Sequence, residues 1–356
     1  HRVGLTPLSV KSLIDQNHSI LIEKKAGEGS GFQDTDYIKA GAKISANAED
    51  IFKESELIIK VKEPQINETE MLRPNQIIFT YLHLASSKEL TNQLIKSKCT
   101  AIAYETITGE NFDLPLLAPM SEIAGRLSVQ AGAKCLERHS GGEGILLSGS
   151  SHCDPAQTLV IGGGVVGYNA ALIAEGMKSH ITILEKSSAR IDFLKEHFPR
   201  SKVLNIDDID IEKILPMFDL VIGAVLIPGA KAPKIIKKEH LKIMKPRSVL
   251  VDVAIDQGGC FETSKATTHQ DPTYVEDGIL HYCVANMPGA VPRTSTISLN
   301  SVTLPYIVDL ANFGVKDFCN HSSHNLKGLN VHQGKLVYKP VSDLFKIPYT
   351  NPKNIF

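Results

Sequence analysis

Tryptophan is absent from the 356 residues, aromatic residues make up only 6%, and neither sign of charge is in excess, with 38 Lys and Arg against 39 Asp and Glu. That balance gives no basic face for nucleic acid or anionic lipid. The longest apolar stretches, LVIGAVLIPGA from Leu220 and SVLVDVAI from Ser248, fall well short of the roughly 20 residues that a membrane-spanning helix needs, so no membrane association is expected. Cysteine is sparse as well. Cys99, Cys135, Cys153, Cys260, Cys283 and Cys319 show no CxxC spacing, which argues against a disulfide framework or a cysteine-bound zinc and fits free thiols in a reducing, cytoplasmic setting. His321 and His324 are too isolated for a metal site, and no metal is expected. The sequons at Asn17, Asn67 and Asn320 are read as unmodified. What remains is an ordinary globular composition, 42% apolar, long enough for two domains.

Two alternating strand and helix series follow one another. In the first, Thr6 caps a helix with Pro7 in its first turn, and strands are expected at SILIE (19–23), ELIIKVK (56–62), QIIFTYLH (76–83) and CTAIAYE (99–105). AGEGSGF, with Gly27, Gly29 and Gly31, matches no phosphate fingerprint and reads as a turn. PMSEIAGRLSVQAGAKCLER (119–138) carries small residues at helical spacing and reads as a linker helix. The second series opens at TLVIGGGVVGYNAALIAEG and continues through DLVIGAVL (219–226), SVLVDVAI (248–255) and ILHYCVAN (279–286). A second linker helix between Thr294 and Asn312 would return the chain to the first domain, and a polar tail ends it. The fold expected is α/β: two Rossmann-like, doubly wound parallel-sheet domains joined by long helices. Residues 1–117 and 293–356 form a discontinuous substrate domain, and 118–292 a cofactor domain.

Gly162, Gly164 and Gly167 make a GxGxxG between an apolar strand and a helix, where backbone amides and the positive helix end meet a pyrophosphate. Glu185 closes the next strand, placed to accept from a ribose 2′-hydroxyl and to repel a 2′-phosphate, which favours NAD over NADP. Val225 and Leu226, and the stretch from Cys283 to Met287, end strands on the carboxyl edge, where open α/β sheets bind ligands. In the first domain, the strand ends at Lys62 and His83 fall on one edge. Spacing alone leaves His83 open between a proton shuttle and a structural hydrogen-bonding residue. Asp256, in AIDQGG, is open in the same way between a working acid and the first polar residue of a turn.

HRVGLTP, IIKVKEP, FTYLHLA, APMSEIAGRLSVQAGA, VIGGGVVGYNAA, DLVIGAVLIPGAKAPK, VDVAIDQGGCFETS and HYCVANMPGAVPRTST together resemble the L-alanine dehydrogenase family over nearly the whole chain. The resemblance implies a hexamer that interconverts L-alanine with pyruvate and ammonium using NAD. By the same resemblance, Arg2 and Lys62 hold the substrate carboxylate, His83 is the acid/base, and Asp256 is the second catalytic group. Ser121, Val165, Glu185, Arg190, Val225, Leu226, Val253, Ala254, Ile255, Lys265, Val284, Ala285, Asn286 and Met287 fall where the family contacts its cofactor. Lys265 stands where an arginine is common, which removes a bidentate contact. The nearest rival is the NAD-binding component of proton-translocating transhydrogenase, which is similar over much of this length but keeps neither the histidine matching His83 nor the acid matching Asp256. A catalytically silent NAD-binding protein is the third reading, and the presence of every candidate catalytic residue speaks against it.

Overall fold

The computed structural model describes residues 1–110, 113–225 and 232–356 of the chain. It divides into two compact units, His1–Pro119 with Val291–Phe356, and Met120–Ala290. In chain order the strands are β1 (Leu21–Glu23), β2 (Lys43–Ser45), β3 (Leu57–Ile59), β4 (Ile77–Thr80), β5 (Thr100–Ala103), β6 (Gln157–Ile161), β7 (His180–Glu185), β8 (Lys202–Asn205), β9 (Leu220–Gly223), β10 (Val249–Asp252), β11 (Thr273–Glu276), β12 (Ile279–Tyr282), β13 (Leu329–His332) and β14 (Lys335–Leu336).

The first unit holds a five-stranded sheet in the order β14-β13-β5-β4-β3, while β1 and β2 pair separately. β3, β4 and β5 are parallel, as expected from helices between short apolar strands. The helix Pro7–Ile14 starts as its sequence dictates, with Thr6 Oγ1 accepting from Ser9 N at 3.3 Å. β13 and β14 depart from the expected polar tail. LNVH is fully buried and runs antiparallel to β5, pairing His332 with Thr100 and covering what would otherwise be an open strand edge. Five residues between Gly328 and Gly334 give too short a pattern to read as a strand.

The second unit is a seven-stranded sheet in the order β11-β12-β10-β9-β6-β7-β8. All neighbours are parallel except β11, which returns antiparallel on β12. The strands are apolar on both faces because each face is covered. Val160, Ile183, Ile222 and Val251 enter one buried cluster, and Leu159, Ile161, Leu184, Val221 and Leu250 enter the other. Chain order reverses between β6 and β9, the topological switch point of a doubly wound sheet.

The sequence places strand ends too late in both units. ELIIKVK, QIIFTYLH and CTAIAYE leave the sheet at Ile59, Thr80 and Ala103, and DLVIGAVL, SVLVDVAI and ILHYCVAN at Gly223, Asp252 and Tyr282. Apolar residues beyond these points, such as Leu82, Ile255 and Val284, are still buried, so hydrophobicity continues after the ladder has stopped.

Two long helices begin where the chain crosses from one unit to the other. Ala118–Leu136 packs on the helix Val165–Gly176 so closely that a Cβ on Gly125 would lie 2.2 Å from the Val166 carbonyl, and Arg126 Nε donates to Asn169 Oδ1 at 3.0 Å. Pro292–His321 extends beyond the expected Thr294 to Asn312 at both ends and carries a non-helical residue at Gly314.

Just past the end of the first of these helices, Glu143 lies near the buried Asp219, which is paired with Lys245, and Glu143 Oε1 is buried with no hydrogen-bond partner among the described residues. Burial, helped by the Asp219 charge and opposed by Lys245, pushes the Glu143 carboxyl up to about 7 from 4.5. The folded state therefore holds this proton more tightly than the unfolded chain. Its contribution is full below pH 4.5 and is lost as pH rises through about 7. Glu143→Gln, neutral throughout, should leave the Tm unchanged near pH 4.5 and raise it at pH 8 by roughly 2–4 °C, the shift about 1 kcal/mol produces at this size. Thermal unfolding followed by circular dichroism checks this; equal Tm values at pH 8 would overturn it.

Candidate active site

The GxGxxG lies at the β6/β9 switch point. Gly162 follows β6 with φ +97°, and its amide donates to Leu184 O at 2.8 Å on β7. A Cβ there would stand 2.8 Å from Ala224 O, and one on Gly167 only 1.7 Å from Gly162 O, so both glycines are required by the protein's own packing. Gly164, the N-cap of the helix Val165–Gly176, differs: a Cβ there meets nothing within 4 Å. The space above it opens onto the positive end of a 12-residue helix, and Val165 beside it is 44% exposed. This cradle fits a pyrophosphate that approaches the backbone directly.

Glu185 ends β7 and folds back on the loop, its Oε2 accepting from Gly163 N at 2.7 Å and its Oε1 from Lys186 N and Ser187 N at 2.8 and 2.9 Å. Arg190 Nε donates to Gly163 O at 2.7 Å, and its guanidinium lies 4.3 Å from the Phe193 ring centroid. Burial lowers the Arg190 pKa, against the pull of Glu185. The acid and the cation are thus both anchored to the phosphate loop. Among the described residues these three bonds leave one lone pair on Glu185 Oε2, which could accept from a hydroxyl, while the carboxylate charge would oppose a phosphate.

AIDQGG is a single 3-10 turn, Val253–Gln257, with Gly258 and Gly259 following at φ +89° and +76°. Asp256 is exposed at its tip, and both carboxylate oxygens accept from Asn286 N at 3.2 Å, which brings the turn and the VANM segment together. Of the residues matched to the cofactor, Ala254, Ile255, Val284 and Met287 are buried, whereas Val225, Val253, Ala285 and Asn286 are partly open beyond the strand ends. Two residues that sequence reasoning missed hold the turn. Asp252, fully buried at the end of β10, accepts from Ala254 N (3.0 Å), Cys260 N (2.9 Å), Phe261 N (3.3 Å) and the Ser264 hydroxyl. Burial pushes its carboxyl up, against the pull of those donors. Lys234 Nζ donates to the carbonyls of Gly258, Gly259 and Phe261 at 2.5, 2.8 and 3.0 Å. A charged residue inside SVLVDVAI was the available signal for Asp252; Lys234 offered none.

In the first unit, Lys62 and His83 follow β3 and β4 on the same sheet edge. Lys62 is exposed, with Nζ 3.7 Å from Glu63 Oε1, and its carbonyl accepts from Thr80 Oγ1 at 3.0 Å. His83 is exposed and takes a left-handed backbone, φ +47°, and its ring stacks on Tyr81 with centroids 5.7 Å apart and planes 11° apart. Burial, helped by the Glu105 charge and opposed by Arg2, holds the Tyr81 phenol far above its ordinary pKa. The Arg2 segment is tied down on both sides: Ser30 Oγ donates to His1 O at 2.8 Å, and Val3 N donates to Thr296 Oγ1 at 3.2 Å. Ser30 belongs to AGEGSGF, and Arg293 donates to the carbonyls of Ser30 and Gly31 at 3.2 and 3.1 Å, so that turn is a buttress for the Arg2 segment.

Ser121 is half-buried on the first linker helix. Lys265 pairs with Glu276 at 2.9 Å and lies over the Tyr274 ring at 5.4 Å; this lysine and Lys238 pull Glu276 down to about 2. Leu226 lies outside the described residues. Among those residues, Glu212, Glu239 and His240 are the group with metal-ligand spacing, within 4.8 Å of one another. His240 Nδ1 accepts from Lys237 N at 3.2 Å, which leaves the proton of the neutral ring on the nitrogen facing Glu212 and no lone pair there for an ion. No helix among the described residues is long and apolar enough to cross a membrane.

A glycine loop opening a helix at the strand-order reversal, with an acid closing the second strand, defines a Rossmann-type dinucleotide-binding protein. Residues 1–124 match the family described as "Alanine dehydrogenase/PNT, N-terminal domain", and residues 128–339 match its C-terminal domain. The chain belongs to this alanine dehydrogenase/PNT family. It is 51% identical to the alanine dehydrogenase of Halomonas elongata over 100% of this chain and 96% of that protein. To that of Methanococcus maripaludis it is 48% identical over 98% and 94% respectively. A solved structure named L-alanine dehydrogenase superposes with a TM-score of 0.93 at 46% identity, over 97% of this chain and 95% of that one. The transhydrogenase from Sinorhizobium meliloti shares the fold, with a TM-score of 0.82 at 21% identity over 94% and 96% of the two chains.

The different surroundings of the glycines separate binding from folding. Gly164→Ala should leave the Tm within about 2 °C of the parent and weaken NADH binding about tenfold or more, a loss of roughly 1.4 kcal/mol. Gly167→Ala should lower both. Fluorescence titration with NADH beside thermal unfolding checks the contrast, and unchanged NADH affinity in Gly164→Ala would remove Gly164 from the cofactor site.

Proposed function

We propose that this chain catalyses the NAD-dependent oxidative deamination of L-alanine to pyruvate and ammonium, and the reverse reductive amination. The observation that carries the reading is the likeness to alanine dehydrogenases over the whole chain, in a sequence that also has His83, Lys62 and Arg2 in one unit and Asp256 in the unit that holds the dinucleotide loop. Bound NAD supplies the hydride acceptor for the alanine α-carbon, and NADH the donor in reverse. Lys62 and Arg2 hold the substrate carboxylate by charge, Lys62 as a point charge and Arg2 as a planar fork. As hydride departs, the substrate becomes a cationic iminium, which the Asp256 carboxylate stabilises. His83 takes a proton from the water that adds to the iminium carbon. It then returns the proton to the amine and, neutral again, takes the proton of the carbinolamine hydroxyl as the C–N bond breaks, which releases ammonia and leaves pyruvate. A base is needed in one direction and an acid in the other, so oxidation is favoured at alkaline pH and amination nearer neutrality.

Selectivity for NAD follows from the Glu185 carboxylate at the ribose end of the loop. Six free thiols fit a reducing cytoplasm, and a homohexamer is the assembly we propose from the family likeness.

Purified protein should reduce NAD with L-alanine at alkaline pH and oxidise NADH with pyruvate plus ammonium. If it does neither, but passes hydride to an NADP analogue with a transhydrogenase partner, the reading is wrong. His83→Ala should lower kcat by at least about a hundredfold while leaving NADH affinity within about twofold, since general acid–base groups contribute on that scale. Loss of NADH binding in that variant would mark His83 as structural. Glu185→Ser should narrow the NAD over NADP preference in kcat/KM about tenfold or more; unchanged discrimination would remove the role assigned to Glu185.

A further inference from the structure

We infer that Glu105 is the positioning residue for His83, its carboxylate fixing the backbone that carries the imidazole; this rests on the reading of His83 as the proton carrier. The ladder of β4 stops at Thr80, and Tyr81 N still reaches Val61 O at 3.3 Å. The next two amides have no strand partner, although Leu82 is fully buried. Glu105 follows β5 and takes both: Oε1 accepts from His83 N at 2.6 Å and from Leu82 N at 3.1 Å, and Oε2 accepts from Leu82 N at 3.2 Å. Consecutive amides turned the same way make a concavity for an anion, and bonds to a carboxylate are stronger than those to a neutral acceptor.

The arrangement holds His83 at φ +47° and ψ +39°, a region less favourable than the right-handed one for a residue with a Cβ. The other restraints are weaker. The His83 carbonyl accepts from Ser86 N and Oγ at 2.9 and 2.7 Å, and the ring lies on Tyr81, whose hydroxyl donates to Leu116 O at 2.5 Å. Among the described residues, no hydrogen bond reaches either ring nitrogen of His83, so backbone and stacking alone aim the imidazole and both nitrogens stay available for proton traffic. Glu105 therefore acts through His83 and touches no reacting atom.

The test uses full-length Glu105→Ala and Glu105→Gln. In Glu105→Ala, kcat for alanine oxidation should fall about tenfold to hundredfold, the scale of a small misplacement of a catalytic group. KM for alanine and NADH affinity should stay within about twofold. Glu105→Gln retains one acceptor oxygen and should recover much of the loss. A crystal structure of Glu105→Ala should show residue 83 outside the left-handed region. An unchanged kcat, equal loss in both variants, or an unchanged φ at residue 83 would overturn the inference. If Glu105→Ala does not fold, the kcat-against-KM split in Glu105→Gln decides. If the parent protein has no alanine activity, the assigned function fails, while the crystal structure still decides whether Glu105 sets His83.

Discussion

Backbone amides at the carboxyl ends of parallel strands must find acceptors once the ladder has stopped, and in this protein carboxylates provide them. Glu185 at the end of β7 takes the amides of Gly163, Lys186 and Ser187. Asp252 at the end of β10 takes those of Ala254, Cys260 and Phe261. Glu105, just past β5, takes those of Leu82 and His83. Each acid lies at or just past the end of one strand and holds the loop that follows, or a loop from a neighbouring strand. The groups proposed for cofactor, iminium and proton are therefore on segments fixed by charge-assisted bonds rather than on free loops.

The same device explains why the acids differ in character. Asp252 is wholly buried and spends its oxygens on amides and a hydroxyl, so it shapes the turn rather than meeting a ligand. Asp256, four residues on, is exposed and accepts from Asn286 N, so its charge remains at the surface of the unit. Lys234 closes the other side of that turn by donating to three carbonyls, two of them on glycines with positive φ. Acid and base together leave the turn few ways to relax.

Much of this was legible in the residues. The glycine loop, its flanking strand and helix, and Glu185 follow a pattern set by local chain geometry, and the structure brings them together as the spacing predicts. The AGEGSGF stretch was legible as a turn, but not as the support of the Arg2 segment, because Thr296 and Arg293 lie more than 260 residues from Ser30 in sequence. Glu105 closes CTAIAYE in the same position that His83 closes QIIFTYLH, yet nothing local links an acid to amides 22 residues away. β13, buried from a polar stretch, was likewise invisible because burial there comes from its pairing with β5.

By itself the sequence determined the alternation of strands and helices, the dinucleotide loop and which side chains could carry protons or charge, since these depend on residue type and near-neighbour spacing. The tertiary structure alone decided where the strands end, which acids are consumed by backbone amides and which stay open, and that His83 is held in a left-handed conformation. The physical reason is that an amide's partner is chosen by proximity in the folded chain, and a carboxylate satisfies whichever donors the sheet edge brings to it.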